Sequence, residues 1–268
     1  MIGASTGIGA AIARSLLAAG ARVALSARSE DKLREVAGKY ALRVAGAHAP
    51  AIEGAAASVA GKPVNASQQA LIEPLDFTRG AEVAAAWGRL RAQWGGCDLV
   101  LIVAGTHKEI RAWDLTEEDA RALLEINLNG PIATIAAVLP ALLTQGSGAI
   151  GVVSSVAGYR GLPKALVYGA SKAALSNFTE TLYLDLNRKG IGVYLINPGF
   201  VQTPLTDKNA FKMPALISAE EAATATLAGL RSGTFEIHFP HRFTNVMKFL
   251  RILPYRLYFA LVRRMTGL

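Results

Sequence analysis

Short apolar runs alternate along this chain with longer stretches in which apolar and polar positions recur at helical spacing. The runs "RVALSA", "ALIEPLD", "CDLVLIVAG", "GAIGVVSS" and "GVYLINPG", with a weaker one at "TFEIHF", are rich in β-branched residues and apolar on both faces. Strands covered by helices on either side need that pattern. Helical stretches fall between them at 9–19, 29–39, 80–94, 117–143, 168–187 and 219–230, with Gly20, Gly95 and Gly190 as stops. This alternation predicts a doubly wound α/β fold of Rossmann type: a mostly parallel sheet with helices on both faces, forming a single domain over 1–236.

Two places disturb the rhythm. Residues 41–70 hold eleven alanines and three glycines where a short connection suffices, and are expected to form a surface insertion. The other is the start, "MIGASTGIGA", which reads as a strand-to-helix turn with only Met1 and Ile2 in place of a strand. That strand belongs mid-sheet, between 22–27 and 97–104, where five or six buried residues at about 1–2 kcal/mol each would rival a domain's net stability. The expectation is therefore that Met1 is an internal start, with more apolar residues upstream and only a stub in the sheet.

Composition narrows the class. Apolar residues at 51% against 18% charged imply an ordered chain with a large core. A single cysteine, Cys97, allows no internal disulfide, and no charged-then-apolar leader opens the chain, so a cytoplasmic location is expected. The apolar stretch "GPIATIAAVLPALL" is too short to cross a membrane and is expected to be a buried helix. Neither Cys97 nor the four histidines show metal-ligand spacing, and no metal is assigned.

The net charge of +8 sits largely at one end. From Ile237 to Leu268 there are six basic residues and no acidic one, which leaves the preceding body nearly neutral. This tail, 237–268, reads as two short helices broken at Pro254. Val246, Met247, Leu250 and Leu253 share one face, and Leu257, Tyr258, Leu261 and Met265 another. A basic amphipathic segment can lie on an anionic membrane or pack over the fold or a partner subunit; both readings stay open. Nucleic-acid binding is not expected of so apolar a tail on a neutral body.

The candidate chemistry begins at the glycine turn. Gly3 permits a tight turn, Gly7 lets backbone N–H groups approach a pyrophosphate, and Gly9, beyond Ile8, lets helix pack on sheet. The helix N-terminus then presents partial positive charge to phosphate. At the end of the second predicted strand, where a reader of NAD places an acid for the ribose hydroxyls, stand Ala27 and Arg28. Arg28 could pair with a 2′-phosphate, with Ser5 donating a hydrogen bond.

Further on, "SSVAGYRGLPKALVYGASKAAL" places Tyr168 and Lys172 one turn apart on one helix face, with Ser155 thirteen residues before Tyr168 at a strand end. Asn127 lies upstream in "EINLNG". With these residues the chain resembles the short-chain dehydrogenase/reductase family in its shorter, single-domain branch, over essentially 3–239. The resemblance extends to Asp76 in "PLDFT", Ala104-Gly105 after the fourth strand, and Pro198, Gly199, Val201 and Thr203 in "NPGFVQT". It implies an adenine-side role for Asp76 and a nicotinamide-side role for Thr203. The family's Asn-Asn-Ala-Gly is here Ile102-Val103-Ala104-Gly105, a departure that removes two amides but keeps the small pair facing the cofactor.

The resemblance implies an NADP(H)-dependent oxidoreductase interconverting a carbonyl and an alcohol, on a substrate the tail suggests is hydrophobic. Tyr168 would exchange the proton, with Lys172 lowering its pKa and binding the nicotinamide ribose. Ser155 would hold the substrate oxygen, and Asn127 a water reaching Lys172. A homodimer or homotetramer is the expected assembly. The rival reading is a non-catalytic dinucleotide-binding redox sensor or scaffold, for which a tuned acid would be superfluous.

Overall fold

Strands apolar on both faces cannot leave either face wet, so they line up in one layer and let helices cover both sides. The computed structural model describes residues 1–41, 69–207 and 213–267; the expected insertion lies almost wholly outside them, at 42–68. The strands are β1 (Val23–Ala27), β2 (Ala70–Pro74), β3 (Leu99–Ile102), β4 (Ala149–Val153), β5 (Gly192–Pro198) and β6 (Glu236–Phe239). All pair in parallel: β1 with β2, and β3 to β6 in sequence order.

Ile2 stands between the two groups, bridging Ser26 beside β1's end and Ile102 on β3. Its N–H donates to Leu101 O and its carbonyl accepts from Val103 N, each at 2.9 Å, while on the other flank Ser26 N donates to Met1 O at 2.9 Å. Met1 and Ile2 thus form a stub where the pattern places a central strand. Behind it, a cavity of about 50 Å³ is lined by Ala24, Leu99, Val100, Val83 and Trp87.

The helices are α1 (Gly7–Ala18), α2 (Glu30–Ala37), α3 (Gly80–Trp94), α4 (Glu117–Leu124), α5 (Gly130–Gln145), α6 (Leu166–Leu186), α7 (Ala219–Ser232), α8 (His241–Ile252) and α9 (Tyr255–Thr266). On one face of the sheet, Val83 of α3, Ile135 and Leu142 of α5, and Leu175 and Leu182 of α6 close over Val100, Ile102, Ile150 and Val152. On the other, Ile12 of α1 and Ala222 and Ala223 of α7 cover Leu101, Val153, Ile196 and Ile237. Both layers hold the C-terminal strand ends in place, and the site forms at those ends.

Two features differ from expectation. Helices α4 and α5 run on through a wide π turn, Glu125–Asn129, and the helical stretch Glu117–Gln145 contains a segment long and apolar enough to cross a membrane. Its Ile135, Val138 and Leu142 are buried against the sheet. The tail does break at Pro254, but its buried stripe is narrower than the sequence faces: Met247 and Leu250 on α8, Tyr258 and Val262 on α9. Val246, Leu257, Leu261 and Met265 remain exposed because only the central stripe reaches Val156 and Tyr159.

Candidate active site

β4 ends at Val153, and the two serines after it take different parts. Ser154 Oγ is buried, donating to Lys172 O at 2.8 Å and lying 2.9 Å from Ser176 Oγ, so it fastens α6 to the strand end. Ser155 caps the turn Val156–Gly158, its Oγ accepting from Ala157 N at 3.1 Å, and lines the same cavity as Tyr168. Gly158 lets α6 approach this turn. A Cβ there would lie 2.7 Å from the carbonyl carbon of Lys172, so α6 could not come this close to any larger residue.

Tyr168 and Lys172 occupy successive turns of α6, with the Lys172 ammonium 6.0 Å from the Tyr168 ring centroid. Lys172 Nζ donates to Val153 O at 3.0 Å. Burial brings its pKa down to about 8. Burial also pushes the Tyr168 phenol above its ordinary value, and only the Ser155 hydroxyl opposes it. The sequence reading expected Lys172 to lower that phenol. In the structure the desolvation of the phenol prevails.

Asn127 owes its position to the π turn, which widens the helix by one residue and turns this side chain inward. It is fully buried, accepts from Thr106 N at 2.8 Å and donates to Thr106 O at 2.9 Å and Ser171 Oγ at 3.2 Å. Its direct partners are thus the loop after β3 and the helix of Tyr168. Gly105 fits between: a Cβ there would come within 3.3 Å of Lys172 Nζ and 3.4 Å of Asn127 Oδ1.

A cavity of about 640 Å³ opens over these groups. Ser155, Tyr168 and Lys172 line it, and so does every residue assigned to cofactor from the sequence. The turn contributes Gly3, Ser5, Gly7, Ile8 and Gly9; the strand ends contribute Ala104, Gly105, Pro198 and Gly199; Val201 and Thr203 follow. Asn127 alone among the assigned residues stands behind the wall. The glycines are sterically required: Gly3 has φ +84° and a Cβ would meet Ala104 N at 2.5 Å, while a Cβ on Gly9 would strike Gly3 O at 2.0 Å. At the far end, Arg28 faces Asp76, whose carboxyl is held below its ordinary pKa chiefly by hydrogen bonds from Thr78. The cavity fits a dinucleotide in size and in its donors: free helix N–H groups at the middle, cations at one end, polar side chains at the other.

Sequence reasoning missed three residues here. Lys32, on the first turn of α2, adds a second cation beside Arg28 and Ser29, a signal readable as i+4 from Arg28. Thr206 lines the cavity and holds Thr203, accepting from its N–H at 3.0 Å. His107 stands edge-on to the Tyr168 ring at 4.7 Å, with burial holding its pKa below the usual histidine value; nothing in the local sequence announces that contact.

A family model described as short chain dehydrogenase matches residues 1–54 and 46–213. An uncharacterized oxidoreductase of Myxococcus xanthus is 35% identical over 263 residues, spanning 98% of this chain and 95% of the relative. Among solved structures, a short chain dehydrogenase from Burkholderia cenocepacia in complex with NADP is similar over 97% of this chain and 94% of its own, at 24% identity and a TM-score of 0.76. Another from Sphingobium yanoikuyae, in complex with NADPH, is similar over 100% and 92%, at 23% identity and 0.73. The last two speak for the fold.

Proposed function

The chain belongs to the short-chain dehydrogenase family, an oxidoreductase with a nicotinamide dinucleotide site, and from that premise we propose that it interconverts a carbonyl and an alcohol with NADP(H). The observation that carries this reading is that Ser155, Tyr168 and Lys172 come together on the wall of one cavity, Lys172 one helical turn beyond Tyr168. A dinucleotide held in this cavity would supply or accept the hydride at the carbonyl carbon. Ser155 and Tyr168 hold the substrate oxygen between two hydroxyls, and Tyr168 passes its phenolic proton to that oxygen as charge develops. Lys172 would hold the cofactor's nicotinamide ribose, with Asn127 fixing the adjoining loop and a water on the Lys172 side.

NADP(H) over NAD(H) is supported by Ala27, Arg28 and Lys32: Ala27 ends β1 where an acid would repel a 2′-phosphate, and two cations stand by to attract one. Ile126 and Leu205 in the cavity wall support an apolar substrate. A panel of ketones and alcohols screened with NADPH and NADP+ tests the reading directly. Cofactor consumption with at least one apolar ketone is expected; tight cofactor binding without turnover on any of them would favour the redox-sensor alternative.

A further inference from the structure

The α8–α9 hairpin presents much more apolar surface than the body covers. Its seam consists of Met247, Leu250, Tyr258 and Val262 against Val156 and Tyr159. Outside that seam Phe249 is 58% exposed, Ile252 76% and Tyr255 69%, and Leu257, Phe259 and Met265 are each half exposed or more. Single exposed apolar residues are ordinary, but a group of this size on two adjoining helices marks an interaction surface. On α9, helical spacing puts Arg256, Arg263 and Arg264 on the arc opposite buried Tyr258 and Val262, with apolar side chains on both flanks.

We infer that this hairpin docks on anionic lipid bilayers. The charge distribution selects that occupant. No acidic residue lies between Ile237 and Leu268. Lys248 is engaged by Glu236 at 2.7 Å and Arg251 lies over the Tyr159 ring, so these two serve the fold. Arg242, Arg256, Arg263 and Arg264 have no ion-pair partner among the described residues. Unpaired arginines thus sit among the exposed aromatic and aliphatic side chains, as in helices that lie in a membrane interface. A second copy seated face to face would bring arginine against arginine, since a two-fold contact pairs a patch with itself. Lipid phosphates meet the cations, while Phe249, Ile252 and Tyr255 reach the acyl boundary.

The docking face is rigidly tied to the active-site wall. Arg160, five residues beyond Ser155, donates to Leu250 O at 3.1 Å and Arg251 O at 3.2 Å, and its guanidinium lies 4.2 Å from the Tyr258 ring centroid and 4.5 Å from that of Tyr255. Tyr258 OH donates to Gly161 O at 2.6 Å. The inference is independent of the proposed reaction.

Co-sedimentation of the full chain with phosphatidylglycerol–phosphatidylcholine vesicles, against phosphatidylcholine alone, tests it. The protein is expected to sediment with the anionic vesicles at low salt, to be released by raised salt, and to leave neutral vesicles largely unbound. Arg263→Glu with Arg264→Glu should weaken binding by more than about fivefold per arginine, the loss expected from removing one surface charge. Ile252→Glu should weaken it too, with unchanged thermal unfolding in both variants. Folded protein that stays in solution with anionic vesicles at low salt overturns the inference, as does equal binding to neutral ones. So does an Ile252→Glu that splits a stable dimer, which would assign the face to a second copy.

Discussion

The ammonium of Lys172 donates to the carbonyl of Val153 at 3.0 Å, in surroundings so dry that its pKa falls to about 8. An unfolded lysine titrates near pH 10.4. Between roughly pH 8 and 10 the unfolded chain therefore binds a proton that the folded chain has released, and stability rises with pH in that window. Below it the folded protein carries the full cost of a buried charge. Lys172→Met should abolish activity yet raise stability at neutral pH by about 1–3 kcal/mol, after allowing for the lost hydrogen bond. It should also flatten the rise towards pH 10. Urea unfolding of both proteins across that range checks this; a less stable variant with an unchanged slope would contradict it.

Asn127 is the joint between the loop after β3 and α6. Asn127→Ala leaves Thr106 N and O, half-buried at the cavity wall, without their side-chain partner. The expected loss is about 1–2 kcal/mol, with weaker dinucleotide binding because Thr106 adjoins Ala104 and Gly105 in the cavity wall. Asn127→Asp keeps the acceptor for Thr106 N and should fall between. Denaturant unfolding with a cofactor titration measures both effects; native-like values for the alanine variant would show that the π turn holds itself.

Arg28 and Lys32 together are expected to set cofactor choice. A charge-assisted contact is worth about 1.5–3 kcal/mol, so native protein should prefer NADPH to NADH by about one to two orders of magnitude. Arg28→Ala with Lys32→Ala should bring the two dissociation constants close together, mostly by weakening NADPH. Fluorescence titrations give the ratio directly, and a ratio unmoved by the double change would assign selectivity elsewhere.

Arg160 is expected to be a structural anchor despite its place near Ser155. Arg160→Ala removes a cation stacked on two tyrosines and bonded to the carbonyls that end α8. A loss of about 2–3 kcal/mol is expected, with faster hydrogen exchange in α8 and α9 than in the sheet. Unchanged exchange there would mean that the Met247–Tyr258 seam suffices.

Much of this was readable from the chain. The strands lie within the apolar runs because two-sided burial demands β-branched continuity, and the helix stops at Gly95 and Gly190 are left-handed, as glycine allows. Ser155, Tyr168 and Lys172 stood out through the family resemblance their motif carries, while the structural part played by the adjacent Ser154 shows only in its bonds to α6. The π turn was not legible, since Glu125–Asn129 reads as ordinary helix and only the pull of Thr106 on Asn127 distinguishes it. Nor were the Arg160 contacts, whose partners are carbonyls some ninety residues away and carry no side-chain signature. The direction of the Tyr168 shift was misjudged because spacing reveals a neighbouring charge but not the burial that outweighs it.

The central claim is that Tyr168 is the proton donor of an NADP(H)-dependent carbonyl reduction. Tyr168→Phe removes one hydroxyl and leaves α6, Lys172 and the cavity wall in place. With a ketone reduced by native protein, the decisive measurement is single-turnover oxidation of NADPH in the two proteins, alongside NADPH affinity. The account predicts a fall of at least about a hundredfold in rate, the lower end of what a positioned acid contributes, with affinity unchanged. A variant that reduces the same ketone at near-native rate would contradict it.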